Sequence, residues 1–124
     1  MKVIDTIVNH QDKRGAIIDL VENKNINAIT FISFTKGAVR GNHYHKKTTQ
    51  WNYVTKGKVK LVTQLDDGPI EEKVLEKGSL VITIPMEKHA LVGMEDSEMI
   101  VFTEGPRGGK EYESDTFRLE VPLV

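Results

Sequence analysis

The 124-residue chain contains no cysteine. That absence excludes a disulfide scaffold, a thiolate zinc site, an iron–sulfur cluster and a cysteine nucleophile together. Any metal must then sit on nitrogen and oxygen donors. An excess of either charge is missing too: 17 Lys and Arg against 18 Asp and Glu leave a net charge of -1 and an isoelectric point near 6.4. Binding a phosphate backbone needs a basic surplus, so nucleic acid is not expected as a partner. Long apolar runs are also lacking. A mean hydropathy of -0.33 with 39% hydrophobic residues is too apolar for a disordered chain and too polar for a membrane-spanning one. The opening stretch MKVIDTIVNHQDKRG carries no signal-peptide apolar region. A protein without membrane contact, located in the cytoplasm, is expected.

What the chain does have is punctuation. Ten glycines and four prolines recur about every ten residues, and the segments between them are short and rich in Val, Ile, Thr and Phe. That rhythm predicts an all-β sandwich or barrel, and the length predicts one domain over residues 1–124. Strands are expected at Lys2–Val8, Ala16–Val21, Ala28–Thr35, Trp51–Thr55, Lys58–Leu65, Ile70–Leu75, Ser79–Ile84, His89–Val92 and Glu98–Thr103. Lys56-Gly57, Asp66-Asp67-Gly68-Pro69 and Lys77-Gly78 read as hairpins or turns, because Gly accepts positive φ and Asp caps its own turn. No helix is expected. Residues 104–124 read as a loop and a tail that covers an edge or packs on a partner subunit.

Three of the four histidines form a pattern. On a strand, His43 and His45 project from one face and Tyr44 from the other. Gln50, Asn52 and Val54 share a face, opposite Trp51, Tyr53 and Thr55. A hairpin across Lys46–Thr49 would bring Gln50 beside the histidine pair, and His89 arrives from a separate strand after Pro85. Trp51 and Tyr53 are read as barrel packing or a dimer contact, Met86 and Met99 as core or rim filler, and Asp66-Asp67 as a turn.

These residues resemble the cupin superfamily, double-stranded β-helix (jelly-roll) barrels whose first motif is G-x5-H-x-H-x(3,4)-E-x6-G. Gly37, His43, His45, Gln50 and Gly57 reproduce every interval, with Gln50 where the family has Glu. The second motif, at 78–93, is looser: Pro85 falls one place late, Met86 replaces a glycine and Gly93 replaces an asparagine. Asp12–Gly15, Glu22–Ile26, Arg40–Lys46, Gln50 and the tail from Tyr112 to Arg118 are similar to the nucleotide-sugar cupins, which include dTDP-4-keto-6-deoxyhexose 3,4-ketoisomerases and the cupin domain of capsular-polysaccharide reductases. Here the histidine pair reads H-Y-H rather than H-A-H, and Phe31 and Phe34 stand in a strand that carries tyrosines in the ketoisomerases.

The resemblance implies an isomerase or epimerase that moves protons through an enediol of a nucleotide-linked keto-deoxy sugar, without a metal. It makes His45 the base at carbon and His43 the shuttle between oxygens. Free imidazoles near pKa 6.5 suit that task. Gln50 and Asn52 would bind sugar hydroxyls, His89 would line the pocket or stabilise the enediolate, and Arg40 would pair with a diphosphate through its bidentate fork. Arg14 and Arg118 are further phosphate candidates. Two alternatives remain open: a metal-dependent, dioxygenase-like cupin holding Fe, Ni, Zn or Mn on His43, His45, Gln50 and His89, and a non-catalytic module that binds a sugar or another small ligand. A homodimer is expected, with the N-terminal strand and the tail extending a partner's sheet.

Overall fold

The computed structural model describes residues 1–109 and 111–124, the side chain of Tyr112 excepted. Lys110 and that tyrosine side chain, both in the tail, therefore lie outside the described residues. The elements in chain order are β1 (Lys2–Ile4), β2 (Val8–Asp12), β3 (Gly15–Ile18), β4 (Ala28–Phe34), β5 (Val39–Tyr44), β6 (Thr49–Lys56), β7 (Lys58–Leu65), β8 (Glu71–Glu76), β9 (Leu80–Thr83), β10 (Glu87–Gly93) and β11 (Ser97–Glu104). A single helical turn, α1 (Glu111–Ser114), and β12 (Phe117–Arg118) complete the chain. One five-stranded sheet has the order β1-β9-β6-β11-β4 and the other β12-β5-β10-β7-β8, with every pairing antiparallel. This is the expected jelly-roll barrel.

From β4 to β7 the chain changes sheet at each connection, and it does so again from β8 to β12. Gly57 makes one such crossing alone. Its φ is +78°, and a Cβ there would stand 2.3 Å from Ser97 Oγ and 2.6 Å from the Asp96 carbonyl. Lys77-Gly78 makes another. Of the three turn signals only Asp66–Pro69 closes a hairpin, between β7 and β8. The hairpin expected across Lys46–Thr49 is absent for the same reason: β5 pairs with β10 and β12, whereas β6 pairs with β9 and β11. The expected strand over Lys2–Val8 divides into β1 and β2, Ala16–Val21 shortens to β3, and His89–Val92 lengthens to begin at Glu87.

Inward-facing side chains change character along the strands. On β6 the inner face runs Val54, Asn52, Gln50; on β11 it runs Met99, Val101, Thr103; on β9, Val81 then Thr83; on β10, Leu91 then His89. One end of the barrel is thus an apolar core that includes Phe34, Val54, Val59, Leu61, Leu75 and Met99. The other end is lined with hydrogen-bonding groups, and that division places the site.

The N-terminal strand β1 and the tail strand β12 pair within the chain, with β9 and β5, each as the outermost strand of its sheet. The β2–β3 hairpin is instead the outlying element: all of its strand residues are exposed, Val8, Ile17 and Ile18 among them. Trp51, on the outer face of β6, is buried within the chain, as barrel packing requires.

Candidate functional site

His43 on β5 and His89 on β10 stand directly opposite in the strand register, and β10 shifts register immediately after His89. Gly41, two residues before His43, lets the strands approach: a Cβ there would lie 2.9 Å from the His89 carbonyl oxygen. His45 follows β5 at the corner where the chain leaves for the other sheet. The three rings cluster, with centroid separations of 4.9 Å for His43–His45, 4.6 Å for His43–His89 and 5.2 Å for His45–His89. One ring nitrogen from each falls within a set whose members all lie within 4.8 Å of one another.

Backbone carbonyls set the chemistry of two rings. His45 Nδ1 lies 2.7 Å from the Asp115 carbonyl oxygen, and His89 Nδ1 lies 3.1 Å from that of Glu87. A carbonyl oxygen only accepts, so in each ring Nδ1 carries the proton and, in the neutral ring, Nε2 keeps a lone pair. The Nε2 atom of His45 is buried without a hydrogen-bond partner. Burial, reinforced by the neighbouring His45 and by Arg118, holds the His43 pKa down at about 4. Burial, reinforced by His43 and His45, holds that of His89 at about 3. These two imidazoles are therefore neutral at physiological pH, well below the ordinary histidine value expected from the sequence.

The cavity in front of the rings measures about 140 Å³ and is also lined by Gln50, Asn52, Thr48, Thr83, Arg40 and Arg107. Gln50 thus reaches the histidines from the facing sheet rather than by a hairpin. Its amide nitrogen donates to Thr103 Oγ1 at 3.5 Å, which leaves the lone pairs of Oε1 for a ligand. Asn52 Nδ2 donates to the Val81 carbonyl at 3.1 Å, so its Oδ1 is the atom left for a hydroxyl. Arg40 lines the mouth while donating from Nε and Nη2 to the Ser33 carbonyl, at 3.3 and 3.0 Å. Arg118 pairs with Glu113 at 3.3 Å on β12, beside His43. Arg14 does not line the cavity; it pairs with Asp12 at 2.6 Å at the tip of the β2–β3 hairpin.

The sequence reading missed Asp115, Thr48, Thr83 and Arg107. Asp115 is buried, and its carboxylate accepts from the N–H groups of Lys46 and Lys47 and from the Thr48 hydroxyl. Burial pushes its pKa up, but those donors outweigh burial and the net shift is downward. No sequence signal links it to His45, because the contact spans 70 positions.

Three imidazole nitrogens around one cavity, one of them buried and unpartnered, fit a divalent cation, with Gln50 Oε1 as a fourth, uncharged donor. The backbone carbonyls that orient His45 and His89 are the kind of outer partner metal-binding histidines use. The same three lone pairs equally fit a hydroxyl-rich ligand.

An antiparallel jelly roll with three imidazoles converging at its polar end defines a cupin barrel, the class expected from the motifs. Within that class the chain belongs to the polysaccharide biosynthesis C-terminal domain family, whose model matches residues 10–117. It is 26% identical over 95 residues to UDP-2-acetamido-2,6-beta-L-arabino-hexul-4-ose reductase of Pseudomonas aeruginosa, a match that takes in 74% of this chain and 26% of the reductase. The chain thus spans about a quarter of that curated relative. A 3,4-ketoisomerase from Helicobacter canadensis superposes with a TM-score of 0.78 at 21% identity, over 95% of this chain and 90% of that one. The Thermoanaerobacterium thermosaccharolyticum 3,4-ketoisomerase, a double mutant in complex with TDP, superposes with a TM-score of 0.73 at 25% identity, over 95% of this chain and 85% of that one.

Proposed function

We propose that the chain isomerises or epimerises a nucleotide-linked keto-deoxy sugar by proton transfer at the histidine cluster. The observation that carries this reading is the buried, unpartnered Nε2 of His45, a lone pair directed by the Asp115 carbonyl toward a cavity that two neutral imidazoles share. The family match and the barrel's likeness to sugar ketoisomerases support the substrate class, and the TDP held by one of them supports a nucleoside diphosphate leader on the sugar.

In this reading His45 Nε2 takes the proton from the carbon next to the sugar carbonyl, and that C–H electron pair becomes the C=C bond of an enediol as the carbonyl oxygen gains a proton. Return of a proton to the former carbonyl carbon, with loss of the proton from the neighbouring hydroxyl, moves the carbonyl by one position. Return to the original carbon from the other face epimerises it instead. His43 carries the proton between the two oxygens. His89 presents an acceptor, so it takes a hydroxyl proton bond and lines the pocket; donation to an enediolate does not match its tautomer. Gln50 Oε1 and Asn52 Oδ1 accept from further hydroxyls. A cavity of about 140 Å³ is smaller than the roughly 300–1,000 Å³ of ordinary ligand pockets, so the sugar ring enters and the diphosphate stays at the mouth near Arg40.

The metal-dependent reading keeps one specific observation in its favour, the three nitrogens within 4.8 Å. A cation on His43, His45, His89 and Gln50 would supply Lewis acidity to a bound oxygen. Incubation with nucleotide-linked 4-keto-6-deoxy sugars, followed by NMR, tests the leading reading: His43→Ala and His45→Ala should each lower turnover by about 10²–10⁴-fold, and unchanged turnover in both overturns it. A stoichiometric metal lost in both variants, with turnover that needs it, selects the second reading. A homodimer is also proposed, supported by the outlying β2–β3 hairpin with Val8, Ile17 and Ile18 in solvent.

A further inference from the structure

We propose that Asp115 is a positioning residue that fixes the tautomer and direction of the His45 ring by clamping the corner at Lys46–Thr48. Its consequence for turnover rests on His45 being the base, whereas the positioning itself stands on geometry alone. Asp115 Oδ1 accepts from the Lys46 N–H at 3.0 Å, and Oδ2 accepts from the Lys47 N–H at 2.9 Å and the Thr48 hydroxyl at 2.7 Å. The backbone carbonyl of the same residue accepts from His45 Nδ1 at 2.7 Å. One buried residue, 67 to 70 positions away in sequence, thus holds four consecutive residues.

The two halves of Asp115 depend on each other. The carbonyl can orient His45 only while its own backbone is held against the corner; the β12–β5 pairing brings it near, and the three bonds to the carboxylate fix it to Lys46–Thr48. Without them the buried Thr48 hydroxyl would lack its partner and the N–H groups of the exposed Lys46 and Lys47 would turn to water, so the corner would move. Nδ1 of His45 would then lose its fixed acceptor, and the ring would be free to exchange tautomers and swing Nε2 out of line. His89 gives an internal control. Its Nδ1 bonds to the carbonyl of Glu87, two residues away on the same strand, so its tautomer is set without Asp115.

Long-range 1H–15N correlation spectra of the imidazole rings at neutral pH test the claim directly. In the unaltered protein both His45 and His89 should show a protonated-type Nδ1 and an unprotonated-type Nε2. In Asp115→Ala the His45 pair should move toward the tautomer-averaged position while His89 stays. Thr48→Val, which deletes one donor and keeps the carboxylate, should shift His45 the same way by less, and serves if the alanine variant does not fold. An unchanged His45 in any folded variant of the two, or an equal shift of His89, overturns the proposal. With a nucleotide-linked keto sugar, kcat should fall by about 10–100-fold, the usual effect of losing an outer partner, with KM nearly unchanged. If His45 shifts as expected but the unaltered protein turns over no such sugar, the functional reading fails and the positioning stands.

Discussion

His43 and His89 carry folded-state pKa values of about 4 and about 3, set chiefly by burial. Both lie below the unfolded value of 6.5, so between those limits the unfolded chain binds more protons than the folded one, and stability falls as pH drops. Each such proton contributes a slope of up to about 1.4 kcal/mol per pH unit. Urea midpoints measured between pH 7.5 and 4.5 should therefore decline below pH 6.5, and His89→Gln should flatten that decline; a flat profile in the unaltered protein would contradict the burial of neutral imidazoles. Asp115 and Asp12, whose pKa values are lowered, add their loss only below about pH 4, beneath that measured range. At this scale the sequence was informative where chemistry follows strand period. The two-residue spacing brings His43, on β5, and His45, just past its end, to 4.9 Å between ring centroids. The partner that sets the His45 tautomer was hidden, because a backbone carbonyl 70 positions away leaves no trace in residue type.

Individual strands could be read from their residues, but the way they connect could not. Alternating apolar and polar residues mark Lys58–Leu65 as a strand, and it is one. The same glycine-bearing turns signal a hairpin and a crossing between sheets alike, and a jelly roll uses the crossing almost throughout. That is why Gln50 was expected across a hairpin and is found across the barrel, near the histidines by either route. The gradient from apolar to polar along β6, β9, β10 and β11 separates the core end from the site end. Met99→Ala, at the buried end, should cost about 2–5 kcal/mol and leave ligand binding at the histidines unchanged. Gly41→Ala should affect both: with φ at +87° and a Cβ 2.9 Å from the His89 carbonyl, it disturbs the spacing of β5 and β10. Its thermal midpoint and its turnover should both drop, and retention of full turnover would show that the close approach is dispensable.

For the molecule as a whole, the lack of cysteine leaves the cavity lined by imidazole, amide, hydroxyl and guanidinium groups beside its apolar side chains. Among the described residues no helix is long and apolar enough to cross a membrane. The outlying hairpin could not be foreseen, since its Val8, Ile17 and Ile18 look like core residues in sequence and are exposed in the chain alone. If a second copy covers them, sedimentation should give a dimer that Ile17→Asp combined with Ile18→Asp converts to a folded monomer; a monomeric unaltered protein at micromolar concentration would contradict that. The central claim is that His45 moves a proton on carbon next to a sugar carbonyl. It is tested most directly by following solvent deuterium into a nucleotide-linked 4-keto-6-deoxy sugar by NMR: the unaltered protein should label the carbon beside the carbonyl and His45→Ala should not. No labelling with the unaltered protein, or equal labelling with both, would contradict the account.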